Sequence, residues 1–272
     1  MPEPMHIPYL PNLQPLAISE VARVLAAMPP CGRIDCVNWS DSFPAHPTTV
    51  LRLAHTGTML FVRFDVEGRG LRAMHTWDLE HVNEDSCVEF FVTNADQSRY
   101  FNFEFNCIGV CNASHRISKS EDVHRLTPDE LHSILRYSSV NSASQPQSTP
   151  PLSAPFDLRD GDYCWSLTVG IPLSLLDVMP AMFTMPETLQ TAAPDVMQDN
   201  GFTLRGNFYK CGDLTSEPHY LSWAPITFER PSFHLPAFFG NLILEPIGQI
   251  PYSNHIASLT TATKGVVKRQ YH

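Results

Sequence analysis

The glutamates Glu89 and Glu104 are the residues of this sequence best placed to act as a chemical pair. Each lies on the polar side of an alternating segment, residues 87–93 for the first and residues 100–106 for the second. Such alternation with aromatic and β-branched residues predicts two strands that each bury one face. The polar residues 94–98 between them predict a hairpin loop. With a loop of about four residues, Glu89 lies directly opposite Glu104, roughly 5 Å away.

Two carboxylates at that spacing repel each other, so the sequence predicts a compensating feature. An arginine or lysine, a bound cation, or a raised pKa of one acid would serve. Arg52 and Arg63, on the polar side of a second predicted hairpin, are the first candidates for neutralising the pair. A loop two residues longer or shorter would instead place an asparagine, Asn102 or Asn106, beside Glu89.

Three interpretations of this polar strand face are open. It is a solvated surface, a binding face whose asparagines and acids bind hydroxyl groups, or a pair of catalytic acids. Retaining glycosidases hold two carboxyl groups about 5 Å apart, the spacing predicted for Glu89 and Glu104. The sequence has no phosphate-binding loop, no dinucleotide-binding glycine motif, no serine-nucleophile motif and no HExxH zinc motif.

The composition favours a β-protein rich in loops. The chain has 272 residues, of which 43% are hydrophobic, 17% are charged and 24 are proline. Few charges, many prolines and short alternating segments are typical of an all-β protein of this length. The formal net charge of -10 argues against nucleic acid as a partner, because phosphate backbones require basic surfaces.

No segment of the sequence predicts insertion into a membrane, since no apolar run reaches about 20 residues. The N-terminal segment lacks the basic and apolar regions of a secretory signal. If a signal had been removed before this sequence begins, the protein would be periplasmic or extracellular; otherwise it would be cytoplasmic.

The seven cysteines do not form a recognisable disulfide framework. Cys87, Cys107 and Cys164 lie in strand-like segments and are predicted to be buried thiols. A zinc site is conceivable from residues that are distant in sequence, namely Cys31, Cys36, Cys107, Cys111, Cys211, His115 and His219.

Further segments complete the predicted architecture. Residues 18–27 predict a short helix, with Ser19 as its N-cap and prolines after its end. The other predicted strands are residues 48–55, 59–67, 163–171, 202–210 and 241–245, and the longest predicted loops are 68–84, 138–155 and 180–200. Many short strands with little helix predict an antiparallel β-sandwich or jelly roll with long loops and one or two short helices.

Aromatic residues indicate where a ligand would bind. Trp77 lies in a predicted loop just before the central hairpin, where an indole is either a core plug or an exposed stacking platform. The segment 205–240 mixes aromatic with polar residues, and small-molecule pockets combine such groups. Its candidates for lining a pocket are Asn207, Tyr209, Lys210, Asp213, His219 and Trp223.

Five stretches of mixed composition stand out as motifs. They are EDSCVEFF at 84–91, YFNFEFNCIG at 100–109, NFYKCGD at 207–213, PHYLSW at 218–223 and PSFHLPAFFG at 231–240. Together they resemble the family 9-like carbohydrate-binding domains that are common in Bacteroidetes. The resemblance spans roughly residues 34–246, nearly the whole chain.

The resemblance implies a β-sandwich related to the DOMON-like fold, with a role in polysaccharide utilisation. In that family two aromatic side chains clamp a terminal sugar, polar residues hold its hydroxyl groups, and calcium ions can have structural roles. Carried over, Trp77 is the first clamp residue, and Trp223 or Tyr209 is the second. The residues that match polar family positions are Glu89, Asn106 and Asn207.

We therefore predict a carbohydrate-binding protein with one domain over residues 1–272, a core of about 34–246 and extended terminal segments. Its predicted partners are a sugar or glycan end and an associated glycoside hydrolase, and no cofactor is assigned apart from structural calcium. No catalytic residue is assigned, and the alternatives are a glycoside hydrolase using Glu89 and Glu104 or an interaction scaffold without a sugar site. The predicted sugar-binding residues are Arg63, Trp77, Glu89, Asn102, Glu104, Asn106, Asn207, Tyr209, Lys210, His219 and Trp223.

Overall fold

Two β-sheets packed face to face make up most of the described structure. The computed structural model describes residues 2–140, 153–183 and 201–247. These residues contain fourteen strands and two α-helices. The predicted β-sandwich with one or two short helices is confirmed. The parts of two predicted loops at 141–152 and 184–200 lie outside the described residues.

The helices are α1 (Ile18–Ala27) and α2 (Pro128–Ser133). Neither of these two described helices has the length and apolar character needed to cross a membrane. The strands are β1 (Met5–Ile7), β2 (Gly32–Ile34), β3 (Cys36–Val37), β4 (Thr48–His55), β5 (Met59–Ala73), β6 (Cys87–Thr93), β7 (Tyr100–Asn106), β8 (Cys111–Arg116), β9 (His124–Arg125), β10 (Leu135–Ser138), β11 (Phe156–Pro172), β12 (Phe202–Cys211), β13 (Tyr220–Ser222) and β14 (Gly240–Leu244).

The first sheet has the strand order β1-β14-β12-β6-β7-β8-β9, with β13 and β3 attached beside β12. The second sheet has the order β10-β11-β5-β4-β2. Among the described strands, β1 pairs in parallel with β14 and the other pairs are antiparallel. The central hairpin of β6 and β7 therefore lies in the middle of the first sheet, between β12 and β8.

The central hairpin has the predicted register. The Asn94 N–H donates to the Arg99 carbonyl at 3.1 Å, which closes the loop at the expected residues. Glu89 pairs with Glu104 across the two strands, and the neighbouring phenylalanines pair with each other. Because side chains alternate along a strand, this register sends the phenylalanines into the core and both glutamates to the other face.

Apolar side chains of both sheets form one core between them. The rings of Phe90 and Phe208 stack with their centroids 4.6 Å apart, and Phe208 also contacts Phe64 of the second sheet. The predicted inward face of β11 is confirmed, since its apolar residues from Trp165 to Ile171 are buried. Burial of each large apolar side chain contributes about 1.5–3 kcal/mol, so this core decides which face of each sheet points outward.

Three local predictions are wrong. The strand β5 continues to Ala73, where a loop was predicted from Gly68, because β11 begins earlier than predicted and pairs along the whole of β5. Helix α1 has the predicted bounds but its N-cap is Ala17 rather than Ser19. Cys164 is exposed, whereas the predicted buried thiols at the other two positions are confirmed and all seven cysteines are free.

Arg52 and Arg63 lie on the outer side of the second sheet, beneath α1. Both guanidinium groups bind Asp65, and Arg63 also donates to the Ala22 carbonyl of the helix at 3.3 Å. This side of the sandwich is opposite the glutamate pair. The prediction that these arginines neutralise the glutamates is therefore wrong, and the position of Arg63 does not support a role in sugar binding.

His55 is buried at the end of β4, where both nitrogens of its ring form hydrogen bonds. Nε2 donates to the Glu245 carbonyl at 2.9 Å, and Nδ1 accepts the Gly57 N–H at 3.3 Å. A proton added to Nδ1 would remove that acceptor. Burial lowers the pKa of His55 to about 4, and the Glu245 carbonyl offsets this only in part.

The free energy of unfolding is therefore expected to fall as the pH drops from about 6.5 to about 4. In this window the unfolded chain takes up a proton at His55 and the native state does not, so stability is complete only above the window. The difference amounts to on the order of 3 kcal/mol. Denaturant unfolding at a series of pH values would measure it.

His55→Gln is expected to flatten this pH dependence. His132→Gln, at an exposed position of α2, serves as the matched control and should keep the slope of the wild type. His219 and His234, whose pKa values burial lowers to about 3, contribute to the slope in all three proteins. Equal slopes for the three proteins would contradict the contribution assigned to His55.

Candidate functional site

The outer face of the first sheet carries a continuous set of polar side chains beside a covered aromatic region. From β12 to β8 the registers place side chains in rows, which are Tyr209, Glu89, Glu104 and Asn112, and then Asn207, Phe91, Asn102 and Ser114. Aromatic side chains of these rows are covered by the segment 226–239, which packs on them through Ile226, Phe233 and Phe239. We define the polar face as Glu89, Asn102, Glu104, Asn112 and Ser114.

Hydrogen bonds that converge on Glu104 connect the polar face apart from Glu89. Arg116 donates to the Ser114 hydroxyl, which donates to Asn102 Oδ1 at 2.6 Å. The Asn102 amide donates to Glu104 Oε1 at 2.8 Å, and the Asn112 amide donates to Glu104 Oε2 at 3.0 Å. Because each group fixes the orientation of the next, the amides are held in place before any ligand arrives.

Raised pKa values reduce the repulsion between the carboxyl groups of Glu89 and Glu104. Burial raises the pKa of Glu89 well above its usual range, and the Cys211 thiol and Glu104 raise it further. Burial also raises the pKa of Glu104, although the two asparagine amides act against this. Of the compensating features predicted from the sequence, the described residues show raised pKa values for both acids and an arginine, Arg116, whose charge acts on Glu104. The raised pKa values oppose full ionisation of the pair.

Trp77 stands on a loop with 75% of its surface exposed. The other tryptophans are less exposed, and Trp165 and Trp223 are buried. Glu80 Oε2 accepts the backbone N–H groups of Thr76 at 2.9 Å and of Trp77 at 3.0 Å. The indole is therefore an exposed platform on a fixed backbone, which decides between the two interpretations of Trp77.

The buried carboxylate of Asp85 connects this loop to the sheet. It accepts the backbone N–H groups of Met74 at 2.9 Å and His75 at 3.0 Å, the Asn106 amide at 2.9 Å, and the Arg72 guanidinium. Asn106 also donates to the His75 carbonyl at 2.9 Å. Asn106 thus supports the loop that carries the indole, instead of pointing toward a ligand.

The same loop is attached to the start of β8. The Leu79 N–H donates to the Cys111 carbonyl at 2.8 Å, and the Cys111 N–H donates to Asp78 Oδ1 at 2.9 Å. The next residue along β8 is Asn112 of the polar face. The loop that carries Trp77 therefore lies at the end of the polar face where Asn112 is.

Sequence reasoning missed the residues of β8 and the anchors of the Trp77 loop. The signal for β8 was the weak alternation of polar residues with Cys111 and Ala113 in a segment without large apolar side chains. For Asp85 the signal was an acid two residues before a strongly alternating strand, but acids in loops are usually exposed. The missed residues are Arg72, Asp78, Asp85, Asn112, Ser114 and Arg116.

Three predicted ligand-binding residues are enclosed by the protein. The Asn207 amide donates to the Ala224 carbonyl at 3.0 Å and accepts the Ala224 N–H at 2.9 Å, so it holds a neighbouring segment. The Tyr209 ring is fully buried and stacks on Phe233 at 4.1 Å. Trp223 is 9% exposed and belongs to the core. The geometry supports neither ring as the second stacking residue.

Lys210 points to the core side of β12, because alternate residues of a strand point to opposite faces. His219 lies in the segment before β13 and meets Lys210 on that side. Lys210 Nζ lies 2.8 Å from His219 Nε2 and donates to the Cys211 carbonyl at 2.7 Å. Burial lowers the pKa of Lys210 and lowers that of His219 to about 3. His219 also lines a cleft of about 830 Å³ together with Phe43 and Tyr163. Neither residue contributes to the polar face.

One group of side chains in the described part of the chain brings three metal-ligating atoms together, namely Cys87, Glu89 and Cys211. It shares a single member, Cys211, with the zinc set predicted from the sequence, so that predicted grouping is wrong. Two of its three donors are sulfur, which does not suit the calcium that the family resemblance implied, because calcium prefers oxygen ligands.

The two packed sheets match the fold that the sequence motifs implied. A profile of the family described as carbohydrate-binding family 9 matches residues 23–244. The chain belongs to carbohydrate-binding family 9. The resemblance drawn from the sequence motifs is confirmed, and with it the predicted carbohydrate-binding role.

Three solved structures resemble this family 9 chain. A candidate carbohydrate-binding protein from Bacteroides uniformis ATCC 8492 is 33% identical, with a TM-score of 0.71, over 89% of this chain and 99% of that chain. A family 9 module from Caldicellulosiruptor kristjanssonii in complex with glucose is 11% identical, with a TM-score of 0.52, over 92% of this chain and 100% of that chain. A family 9 module from the same organism in complex with cellotriose is 12% identical, with a TM-score of 0.51, over 92% of this chain and 98% of that chain.

At 11% and 12% identity, the two structures from C. kristjanssonii show only that the fold is similar. No curated protein matches the sequence.

Proposed function

We propose that this family 9 chain binds a sugar ring at the polar face, with the Trp77 indole stacked against one face of the ring. The observation that carries the proposal is the 75% exposed indole on a loop held by buried hydrogen bonds. An aromatic surface beside a few fixed polar groups is the usual combination in small-molecule sites. The glucose and cellotriose complexes of two modules with this fold support a sugar as the ligand.

The polar groups proposed to bind sugar hydroxyls are Asn112 and Glu104, in the row next to the Trp77 loop, and Arg116, two rows further along β8. Asn112 is half-buried, and its carbonyl oxygen accepts no hydrogen bond from the described residues. Glu104 is 7% exposed and Arg116 is half-buried. An amide, a carboxyl and a guanidinium group offer both donors and acceptors, which suits hydroxyl groups that need both.

The glutamate pair supports sugar binding without hydrolysis better than it supports a glycoside hydrolase. A retaining glycosidase requires one ionised carboxylate as its nucleophile. Here burial disfavours the ionised form of both carboxyl groups, and both oxygens of Glu104 accept asparagine amides. The association with a glycoside hydrolase, predicted from the family resemblance, stays a prediction.

Titration calorimetry with glucose and cellotriose, together with a glycan array, tests the proposed function. We expect saturable binding of at least one sugar and no release of product from aryl glycosides. Absence of binding to every sugar by the folded protein would overturn the proposal, and product release would replace it by the hydrolase alternative.

Glu104→Gln is expected to weaken sugar binding about tenfold. The new amide places a donor where an asparagine amide now donates, so that asparagine must turn away. The sugar then loses one oriented hydrogen-bond partner, which is worth about 1 kcal/mol or more. Calorimetry with the best sugar from the array measures the effect. Glu20→Gln, on exposed α1 beyond the second sheet, is the control and should bind like the wild type.

A further inference from the structure

Three side chains on the outer face of the first sheet have donor atoms that converge. Cys87 of β6 lies directly opposite Cys211 of β12, and Glu89 follows on the same face of β6. The two sulfurs and a carboxylate oxygen of Glu89 all lie within 4.8 Å of one another. The three residues are at most 3% exposed.

We propose that Cys87, Cys211 and Glu89 bind one zinc ion, with the fourth ligand position left to a water molecule. Zinc takes thiolate sulfur at about 2.3 Å and carboxylate oxygen at about 2.0–2.2 Å, in a tetrahedral arrangement. Such bond lengths require donor atoms that are roughly 3.5–3.8 Å apart. Cys211 Sγ already lies 3.1 Å from Glu89 Oε1, so small changes of the side-chain torsions are sufficient.

The surroundings of these three groups favour a cation. The Cys211 thiol donates to Glu89 Oε1, while Glu89 Oε2 forms no hydrogen bond with any described residue. Within the described ranges no lysine, arginine or histidine forms a hydrogen bond or ion pair with the three donor atoms. The nearby cation is Lys210, whose charge interacts with Cys87, Cys211 and Glu89. Its Nζ lies on the core side of β12, where it binds His219 and not the three donor atoms.

The chemistry of the donors selects the kind of metal. Two thiolates with one carboxylate suit zinc, whereas calcium and magnesium require oxygen ligands. The donors are carried by paired strands, which hold them more rigidly than loops would. Asp213 adds negative charge nearby, since it raises the pKa of both Glu89 and Cys211.

Zinc binding releases the protons that the donors hold in the absence of metal. Burial raises the pKa of the Cys87 thiol to about 12. The hydrogen bond with Cys87, together with burial, raises the pKa of the Cys211 thiol. Zinc therefore displaces two thiol protons, and the carboxyl proton of Glu89 where it is present. Affinity for zinc is expected to rise with pH for this reason.

Titration of the reduced, metal-free full chain with zinc against a chromogenic chelator tests the site. We expect one zinc ion per chain, and loss of at least about tenfold in affinity in Cys87→Ser and in Cys211→Ser. Cys164→Ser, at an exposed cysteine of β11, should bind zinc like the wild type. The unmodified protein loaded with cobalt should show a thiolate-to-cobalt charge-transfer band, a readout that does not depend on any variant folding.

Three results would each overturn the proposal. They are failure of the reduced wild type to bind zinc, stoichiometric binding that neither Cys87→Ser nor Cys211→Ser weakens, and a cobalt spectrum without the thiolate band. Zinc is titrated in the absence of sugar, so the outcome is independent of the proposed sugar binding, which Trp77→Ala tests separately.

Discussion

Trp77→Ala is expected to weaken sugar binding about 30-fold or more while the protein stays folded. Removal of a central aromatic contact from a binding site commonly costs about 2 kcal/mol or more. The indole is 75% exposed and is absent from the core clusters, so its loss should change the free energy of unfolding by less than about 0.5 kcal/mol. Calorimetry and denaturant unfolding of the same preparation would measure both quantities.

Two further variants separate stacking from general loss of apolar surface. Trp77→Phe keeps an aromatic ring and should retain part of the affinity. Met179→Ala removes an exposed apolar side chain, 53% exposed, that follows β11 and lies outside the proposed site. An unchanged affinity in Trp77→Ala would show that the sugar site is elsewhere on the protein.

Asp85→Ala is expected to destabilise the protein by about 3–5 kcal/mol, which is the cost of removing one partner from a buried ion pair. The Asp85 side chain is fully buried, and the Arg72 side chain is 13% exposed. The substitution leaves Arg72 with the more distant carboxylate of Asp157, 4.0 Å from its Nε, and leaves the N–H groups of Met74 and His75 without an acceptor. Denaturant unfolding at neutral pH would measure the loss.

The matched control is an exposed ion pair of the same chemistry. Asp162 has 91% of its side chain exposed and lies 3.6 Å from Arg69, so Asp162→Ala should change stability by less than about 1 kcal/mol. Adding Arg72→Met to Asp85→Ala removes the guanidinium charge and should restore part of the stability. A loss below about 1 kcal/mol in Asp85→Ala would contradict the role given to this carboxylate.

Asp85 also connects stability with binding. It holds the backbone on the N-terminal side of Trp77, and Asn106 holds the same segment through the His75 carbonyl. At temperatures where Asp85→Ala is still folded, the loop has lost these constraints and must be ordered on binding. We therefore expect its sugar affinity to fall as well, because ordering a loop on binding costs free energy.

The central hairpin shows how much a strongly alternating sequence predicts. Phe90 and Phe103 face the core and Glu89 faces Glu104, as the period of two and the length of the loop required. The period is decisive because a shift of one residue would turn Phe90 and Phe103 away from the core and turn the polar side chains of the hairpin into it. The same reasoning predicted β4, the core side of β11 and, from its apolar spacing, helix α1.

The predicted site was less complete, because it grouped residues by composition. Lys210 and Tyr209 are neighbours in sequence but point to opposite faces of β12, and Trp223 packs in the core. Arg63 belongs to the other sheet. Assignment of a side chain to a site requires the strand pairing between distant segments, which no local pattern contains.

The β-sandwich, the register of the central hairpin and the family were predictable from the sequence, because they follow from alternation and from motifs that are contiguous in the chain. The exposure of Trp77, the attachment of its loop by Asp85 and Asn106, and the contact of Cys87 with Cys211 depend on how the chain packs. The physical reason is that burial and hydrogen-bond partners are properties of packed neighbours. Residues far apart in the sequence become neighbours only when the two sheets have closed on their core.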